Sequence, residues 1–510
     1  MTIAASVAIE TVILFCVKLF LSVGLRGGSG TASEIGVGVS SAERANRSKE
    51  SMVRVSKFLA WSVSTALIVF ASSAASAQTL MDSLALAYSN SPDLNVARAN
   101  GRVIDESVGI AKSLQRPKFN GTGSYGFQDF SYNKGGPGSL GVVVTHPATV
   151  GVTLVQPLFT GFQAESKIKA AEMSVLAQQE MIRDAEQTLL LNAATAYANV
   201  VMDAAIVQLD EQNLQFLAEQ VRAAKDKLQV GEGTKTDLAQ AQSSYEASVS
   251  TLASARATLA GSRAAFVHYV GVQPKSLSGA SPFDKYVPAS LPRAVDISMH
   301  EHPALRAAIY NIDVAQANVS YAEGALLPQV SLQSSFQHAT QPTGELRTDT
   351  TTVGINVTVP LYQGGGEYAT IRQAKEQLGV ARIQVDVSRE NLRAIVAQQW
   401  ALYSAAGTSI EAAKANISAS QLALEGTIEQ QKVGERTTLD VLNAENVLSA
   451  AKISLAQAQF QRAAALFTLL QSIGRFDADH LRLAAIRYDP KQHYDAVKDQ
   501  WFGLRTPDGR

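Results

Sequence analysis

The sequence predicts a mainly α protein with a small β part, duplicated within one chain and complete only as an oligomer. Three observations carry this. Two proline-free stretches, 162–230 and 365–433, hold apolar residues in a seven-residue repeat. Four short segments alternate apolar with polar residues, as half-buried strands do. Motifs in the first half recur in the second at a constant offset of 203 residues.

Composition narrows the function classes. The 510 residues hold 44 Lys and Arg against 45 Asp and Glu, a balance that excludes a polybasic nucleic-acid binder. Hydrophobic content of 46% excludes wholesale disorder, while 7% aromatics favours close-packed helices. Residues 52–77 read as a secretory signal peptide. Met52 precedes Arg54 and Lys57, Phe58 to Phe70 is apolar, and Ala75-Ser76-Ala77 suits cleavage before Gln78. Residues 1–51 are expected to be an upstream extension, with Met52 the start. A membrane anchor over Val12 to Leu25 is the alternative. Cys16 is the single cysteine and lies there, so the processed chain is expected to lack disulfides, thiolate metal sites and cysteine nucleophiles.

The duplication divides the rest. The first unit is expected over 78–275: a helix, a β-hairpin at 118–159, a long helix at 162–230 and a return helix at 234–270. A linker follows at 276–297. The second unit, 298–474, repeats the order with a hairpin at 329–362, a long helix at 365–433 and a return helix at 437–473. Pro157-Leu158-Phe159-Thr160-Gly161 matches Pro360-Leu361-Tyr362-Gln363-Gly364, and Gly271 matches Gly474. Val230-Gly231-Glu232-Gly233-Thr234 with Asp237 matches Val433-Gly434-Glu435-Arg436-Thr437 with Asp440. Upstream the offset is 211, pairing Ser91-Pro92 with His302-Pro303 and Pro117 with Pro328. The difference falls between Gln128 and Thr149, where a turn-rich loop is expected at Asn133 to Gly138. Loops tolerate insertions, so constant spacing elsewhere means that length itself is constrained.

In the long helices the stripe is Ile168, Val175, Ile182 and Leu189, then a step of four to Ala193, Val200, Val207, Leu214, Val221 and Leu228. The second copy has Ile371, Leu378, Val385 and Leu392, then Val396, Tyr403, Ile410, Ile417 and Leu424. A heptad repeat imposes left-handed supercoiling and the inserted four relaxes it at one height. Each rod should reach roughly 100 Å. The return helix, striped by Leu238, Tyr245, Leu252, Leu259 and Phe266, covers half of it, and the helix-like segment Thr79 to Gln115 covers the remainder.

Along the strands, Val330, Leu332 and Phe336 alternate with Ser331, Gln333 and Gln337. Val353, Ile355, Val357 and Val359 alternate with Thr352, Gly354, Asn356 and Thr358. That pattern and length suit membrane strands with one lipid face and one wet face. Phe119, Tyr125, Phe127, Phe159 and Tyr362 lie toward strand ends, where interfacial aromatics belong. Four strands cannot close, and an open edge is not viable in lipid. Several chains must contribute, and periodicity leaves totals of about eight, twelve or sixteen open.

These motifs, over about residues 79 to 475, resemble the outer membrane efflux protein (TolC) family. The resemblance implies a homotrimer: a twelve-stranded transmembrane β-barrel, four strands per chain, continuous with a periplasmic α-helical coiled-coil barrel. It implies an exit duct for type I protein secretion or multidrug efflux, working with a periplasmic adaptor (a membrane fusion protein) and an inner-membrane ABC, RND or MFS pump. It implies contact with outer-membrane lipid, and neither cofactor nor nucleic acid. The family's periplasmic tip opens and closes, with polar links and acidic rings at its mouth. At matching positions lie Asp440 and Arg436, with Thr236 opposite as a partner. A second acid of the family pattern is replaced by Asn443. A tyrosine that bonds the facing acid is replaced by Gln431, with Asp237 retained. A single ring of Asp440 is expected to make the channel cation-selective, and the Gln431–Asp237 link to give a weaker latch.

Plainer roles exist for several of these residues. Asp237 and Asp440 lie near helix starts, where a carboxylate caps free N–H groups. Arg436 suits a solvated turn. His300-Glu301-His302 matches Ser89-Asn90-Ser91, which offers no metal ligands. Gly364-Gly365-Gly366 lacks the Lys-Ser/Thr pair of a phosphate loop and suits a tight strand-to-helix junction. No catalytic constellation recurs in both halves, so an enzyme is not expected. The alternative outside the channel class is a periplasmic coiled-coil adaptor or structural protein. The segment 475–510 has no counterpart and is expected to wrap the middle of the helical part.

Overall fold

The computed structural model describes residues 78–133, 140–279, 282–340 and 347–509. The expected extension, signal peptide and most of the Asn133 to Gly138 loop lie outside the described residues.

Helix α1 (Leu80–Asn90) starts at a reciprocal cap between Thr79 and Asp82. Helix α2 (Pro92–Lys112) follows at once. The sequence reads a helix-like segment here with Pro92 near a helix start, and Ser91 divides it there into two helices. Pro92 has no N–H to continue the ladder, and the Ser91 hydroxyl accepts from Leu94 N instead. The same break recurs at His302, between α5 (Leu291–Glu301) and α6 (Pro303–Gly324). The rods are α3 (Gln163–Gln229) and α7 (Gly366–Lys432), each of 67 residues. Their return helices are α4 (Lys235–Val270) and α8 (Thr438–Ser472). α3 packs on α2 near the strands and on α4 toward the far turn, and α7 is flanked likewise by α6 and α8. α3 also contains a window long and apolar enough to cross a membrane by composition, but here α1, α2, α4, α6 and α8 pack against that rod.

The apolar stripe is where the heptads put it as far as Val200 and Val396, and beyond them only Leu424 of the expected stripe is again buried. Val175, Ile182, Leu189, Ala193 and Val200 are buried, as are Ile371, Leu378, Val385, Leu392 and Val396. Beyond that height the buried line moves on by three. It becomes Asp203, Asp210, Leu217 and Ala224 in α3, and Ala406, Ala413 and Ser420 in α7. Val207, Leu214, Val221 and Tyr403 are only half-buried flanks. The cause is the change of neighbour: this half faces a return helix closely enough for Ser262 of α4 to donate to Asp203 at 2.5 Å. Near that height the seam takes small or hydrogen-bonded side chains such as Asp203, Ala406 and Ala413, with Leu217 and Leu424 buried closer to the far turns.

Four strands form one antiparallel sheet in the order β1-β4-β5-β6: β1 (Lys118–Tyr125), β4 (Ala148–Phe159), β5 (Gln329–Thr340) and β6 (Arg347–Thr358). The hairpin expected at 118–159 is interrupted. A separate ribbon, β2 (Gln128–Asn133) with β3 (Leu140–Thr145), extends it, so most of the first unit's extra length is paired strand, not loop. Pro147, which cannot donate to a ladder, sits at the break and accepts from Gly126 N at 2.9 Å. Register sorts the main sheet cleanly. Phe119, Leu154, Val152, Phe336, Ile355 and Val357 share one face; Asn120, Thr122, Thr153, Ser335, Gln333 and Asn356 share the other.

The strand-to-helix junctions use left-handed backbone: Gly161 and Phe162 before α3, Gly364 and Gly365 before α7. At the first, the backbones of Gly161 and Gly324 touch so closely that a Cβ on either would strike the other's carbonyl oxygen. The largest core lies at mid-height, where Leu84, Leu190, Phe266, Phe283, Phe467 and Phe476 are fully buried. The expected linker contributes Phe283 to it, and α5 already begins at Leu291. The segment after Gly474 starts in this core with Phe476, Leu481 and Leu483 but does not stay at the middle. Its helix α9 (Pro490–Val497) lies on α2, where His493 meets buried Asp105 at 2.9 Å. The strap then reaches the foot of the sheet: Asp499 meets Lys112 at 2.6 Å and Gln500 O accepts from Arg116.

Candidate functional site

The far turns are built alike. After α3, Gly231 turns left-handed, and Glu232 N and Gly231 N bond back to Lys227 O and Leu228 O. After α7, Gly434 does the same, with Glu435 N on Gln430 O and Gly434 N on Gln431 O. Thr234 then caps α4, accepting from Asp237 N at 3.1 Å while Asp237 Oδ2 accepts from Thr234 N and its hydroxyl. Thr437 and Asp440 repeat this at the start of α8. Both acids therefore complete reciprocal helix caps. The bonds from the Thr437 backbone and hydroxyl, with the charge of Arg436, hold Asp440 below the usual carboxylate range. The carboxylate form is thereby favoured, and the cap uses Oδ2 only, leaving Oδ1 outside it.

The polar links expected around these acids fall differently within one chain. Gln431 is not bonded to Asp237; its Nε2 donates to Thr438 Oγ1 at 3.2 Å, while Asp237 is held by Thr234. Arg436 does not reach Thr236; its Nε donates to Gln430 Oε1 at 3.2 Å, across its own turn. Thr236 and Asn443 are solvent-exposed. The turn thus brings Arg436 close to Asp440, with Gln431 on Thr438 beside it; Asn443 lies one helical turn beyond Asp440, and Asp237 and Thr236 belong to the other turn.

A second polar cluster, absent from the sequence reading, lies at mid-height. Arg475 grips Glu301 through two bonds of 2.7 Å. Arg183 bridges Glu180 at 2.9 Å and Asp477 at 3.3 Å, and Arg306 meets Glu180 at 2.9 Å. Glu186 accepts from Ala478 N at 2.6 Å. Glu301 is therefore engaged and unavailable to the metal cluster that His300-Glu301-His302 superficially suggests. Burial raises Asp477, but bonds from His480 and the Arg183 charge outweigh it and leave it low. The Asp477 bond raises His480, and burial pushes Glu186 up to about 7. The sequence signal was limited to Glu180, Arg183 and Glu186, charges three apart on one rod, and the partners of Arg183 and Glu186 in the strap, Asp477 and Ala478, lie almost three hundred residues away.

The remaining surface is unevenly covered. α3 is enclosed, whereas α7 packs on α5, α6 and α8 and leaves Val380, Ile383, Ile395 and Leu402 about half exposed or more. α2 carries a matching open stripe at heptad spacing: Val96, Val103 and Ile110, exposed by 59%, 69% and 71%. The outer edges of β1 and β6 have no partner strand among the described residues.

Comparison with known proteins agrees with this architecture. The family model described as "Outer membrane efflux protein" matches residues 83–272 and 295–475. The chain is 43% identical over 444 residues to the outer membrane efflux protein BepC of Brucella suis, covering 87% of this chain and 95% of that one. It is 25% identical over 347 residues to the alkaline protease secretion protein AprF of Pseudomonas aeruginosa, covering 66% and 72%. Among solved structures, the CmeC outer membrane channel of Campylobacter jejuni superposes with a TM-score of 0.70 at 17% identity, covering 82% and 89%.

Proposed function

The chain belongs to the outer membrane efflux protein family, an efflux or secretion channel of the outer membrane that extends into the periplasm, and from that premise we propose that three copies close one continuous duct. The observation that carries the proposal is the sheet: one apolar face, one polar face and two unpaired edges. Unpaired edges cannot persist in lipid, and a wet face needs a water-filled bore. The internal offsets say how copies meet. Since α3 packs on α6 within the chain, the equivalent α7 packs on α2 of the next copy, covering both open apolar stripes. In the same way β6 pairs with β1 of the next copy. Leu154 faces Ser334 within the chain, and the equivalent pair across the seam is Val357 with Gly123. Val357→Cys combined with Gly123→Cys should give disulfide-linked trimers on a non-reducing gel. Val357→Cys with Ser124→Cys, one residue off and on the other face, should not. Linkage by the second pair alone, or by neither, rejects the arrangement.

The duct serves type I protein secretion or multidrug efflux, taking cargo from an inner-membrane ABC, RND or MFS pump through a periplasmic adaptor that engages the far turns. AprF's name supports the secretory use and BepC's name the efflux use. No catalytic step is part of this role. At the mouth, three copies of Asp440 make a ring of fixed negative charge, and Gln430 tethers Arg436 beside it. The expected result of Asp440→Asn is a loss of cation preference in planar-bilayer recordings, with conductance changed by less than about twofold. An unchanged reversal potential in a salt gradient would remove Asp440 from the role. Folding should survive, since Asn can still accept the capping bond from Thr437.

A further inference from the structure

The strap that follows Gly474 ends its climb in a cluster of exposed apolar side chains. Trp501, Phe502 and Leu504 are exposed by 57%, 85% and 104%. Three such residues within four positions, open to water, are costly for a surface that touches nothing. Their location says what covers them. The Arg116 guanidinium lies over the Trp501 ring at 4.7 Å, and Arg116 precedes β1 by only Pro117. Trp501 lines one recess with Arg116, Pro117 and Gln156. Gln156 has the same strand parity as Leu154 and Val152, and so lies on the apolar side of the sheet. The cluster therefore sits outside the sheet, at the foot of its apolar face, where Phe119 is 65% exposed and begins the belt.

We propose that Trp501, Phe502 and Leu504 form an anchor that inserts into the phospholipid leaflet at the periplasmic rim of the outer membrane. It is continuous with the apolar face of β1 and β4 and gives each copy a second hold on the bilayer besides its strands. The chemistry fits that depth. A tryptophan ring prefers the headgroup boundary, where its apolar body is buried and its N–H stays wet. Phe502 and Leu504 supply apolar area for the acyl region just beyond. Arg116 and the exposed Arg505 flank them with positive charge for lipid phosphates. The remainder of the strap holds the cluster at this height through the Lys112–Asp499 pair and the Arg116 bond to Gln500 O.

The test uses full-length protein reconstituted in vesicles of phosphatidylethanolamine and phosphatidylglycerol. With Trp61 and Trp400 changed to Phe, Trp501 is the sole tryptophan. Lipids brominated near the headgroup should quench its emission at least twofold more than lipids brominated near the chain ends, and aqueous iodide should quench it poorly. Phe502→Ser with Leu504→Ser should cut the bromolipid quenching at least twofold while leaving Trp501 and the sheet intact. Emission indifferent to brominated lipid and open to iodide would overturn the proposal, as would unchanged quenching in the double variant.

Discussion

Gly161→Ala is expected to lower stability by about 3 kcal/mol and to abolish recovery of folded protein from membranes. Two costs combine. Gly161 has φ +64, a left-handed backbone that costs a Cβ-bearing residue about 1–2 kcal/mol. The new Cβ also collides with the Gly324 carbonyl and lies 3.0 Å from Leu327 Cβ. The contact is backbone against backbone, so no side chain can rotate away, and overpacking of this kind costs about 1–3 kcal/mol. Gly364→Ala is the control. Its φ is +72, but a Cβ there meets nothing within 4 Å, so only the backbone cost of about 1 kcal/mol applies. Comparable thermal midpoints for the two variants would remove the collision from the account.

Asp477→Ala should release the strap. The Asp477 side chain is 5% exposed and joins Arg183 to His480. Removing one partner of a buried ion network costs about 3 kcal/mol, because the remaining charge stays desolvated. Limited proteolysis should then cut beyond Gly474 at least tenfold faster, with the rods intact; an unchanged rate would dismiss the network as the clasp. pH acts on the same contacts. Glu186, raised from 4.5 to about 7, favours its protonated form when docked, so its support is full below 4.5 and fades as pH climbs through 7. His480, raised from 6.5, likewise supports docking below 6.5 and loses that support above its docked value. Asp477, lowered from 3.8, gives support above 3.8 that is lost in stronger acid. The strap should be tightest between about pH 4 and 6. Glu186→Gln keeps an acceptor for Ala478 N and removes the charge. It should slow cleavage at pH 8 at least threefold and change nothing at pH 5; equal rates at both would discard the pH account.

Much of the fold was legible because periodic physics writes itself into periodic sequence. The rods follow from heptads, the sheet faces from alternation, and the turns from Gly231, Gly271, Gly434 and Gly474, all with positive φ at one spacing. What escaped is of two kinds. The shift of the buried line to Asp203 and Ala406 depends on which helix lies opposite, which local pattern does not encode. The clasp of Arg183, Glu186 and Glu301 by Arg475 to Ala478 joins residues remote in the chain, so each looked like an ordinary charge. Phe162 illustrates a third limit. Its left-handed backbone was hidden behind a non-glycine residue, and its ring meets Phe159 edge-on at 5.2 Å. At the far turn the capping role of Asp440 and Asp237 was legible from their places near helix starts, and the structure adds their reciprocal partners, Thr437 and Thr234.

The equal count of 67 residues in α3 and α7 has a consequence for how such a duct can evolve. Adding one helical turn to α3 alone would push its turn about 5.4 Å past that of α7 and break the level rim. Growth would need matching insertions in both rods and both return helices at once, a fourfold coincidence. The reach of the helical part is thereby frozen, and whatever meets its rim must do so at a fixed plane.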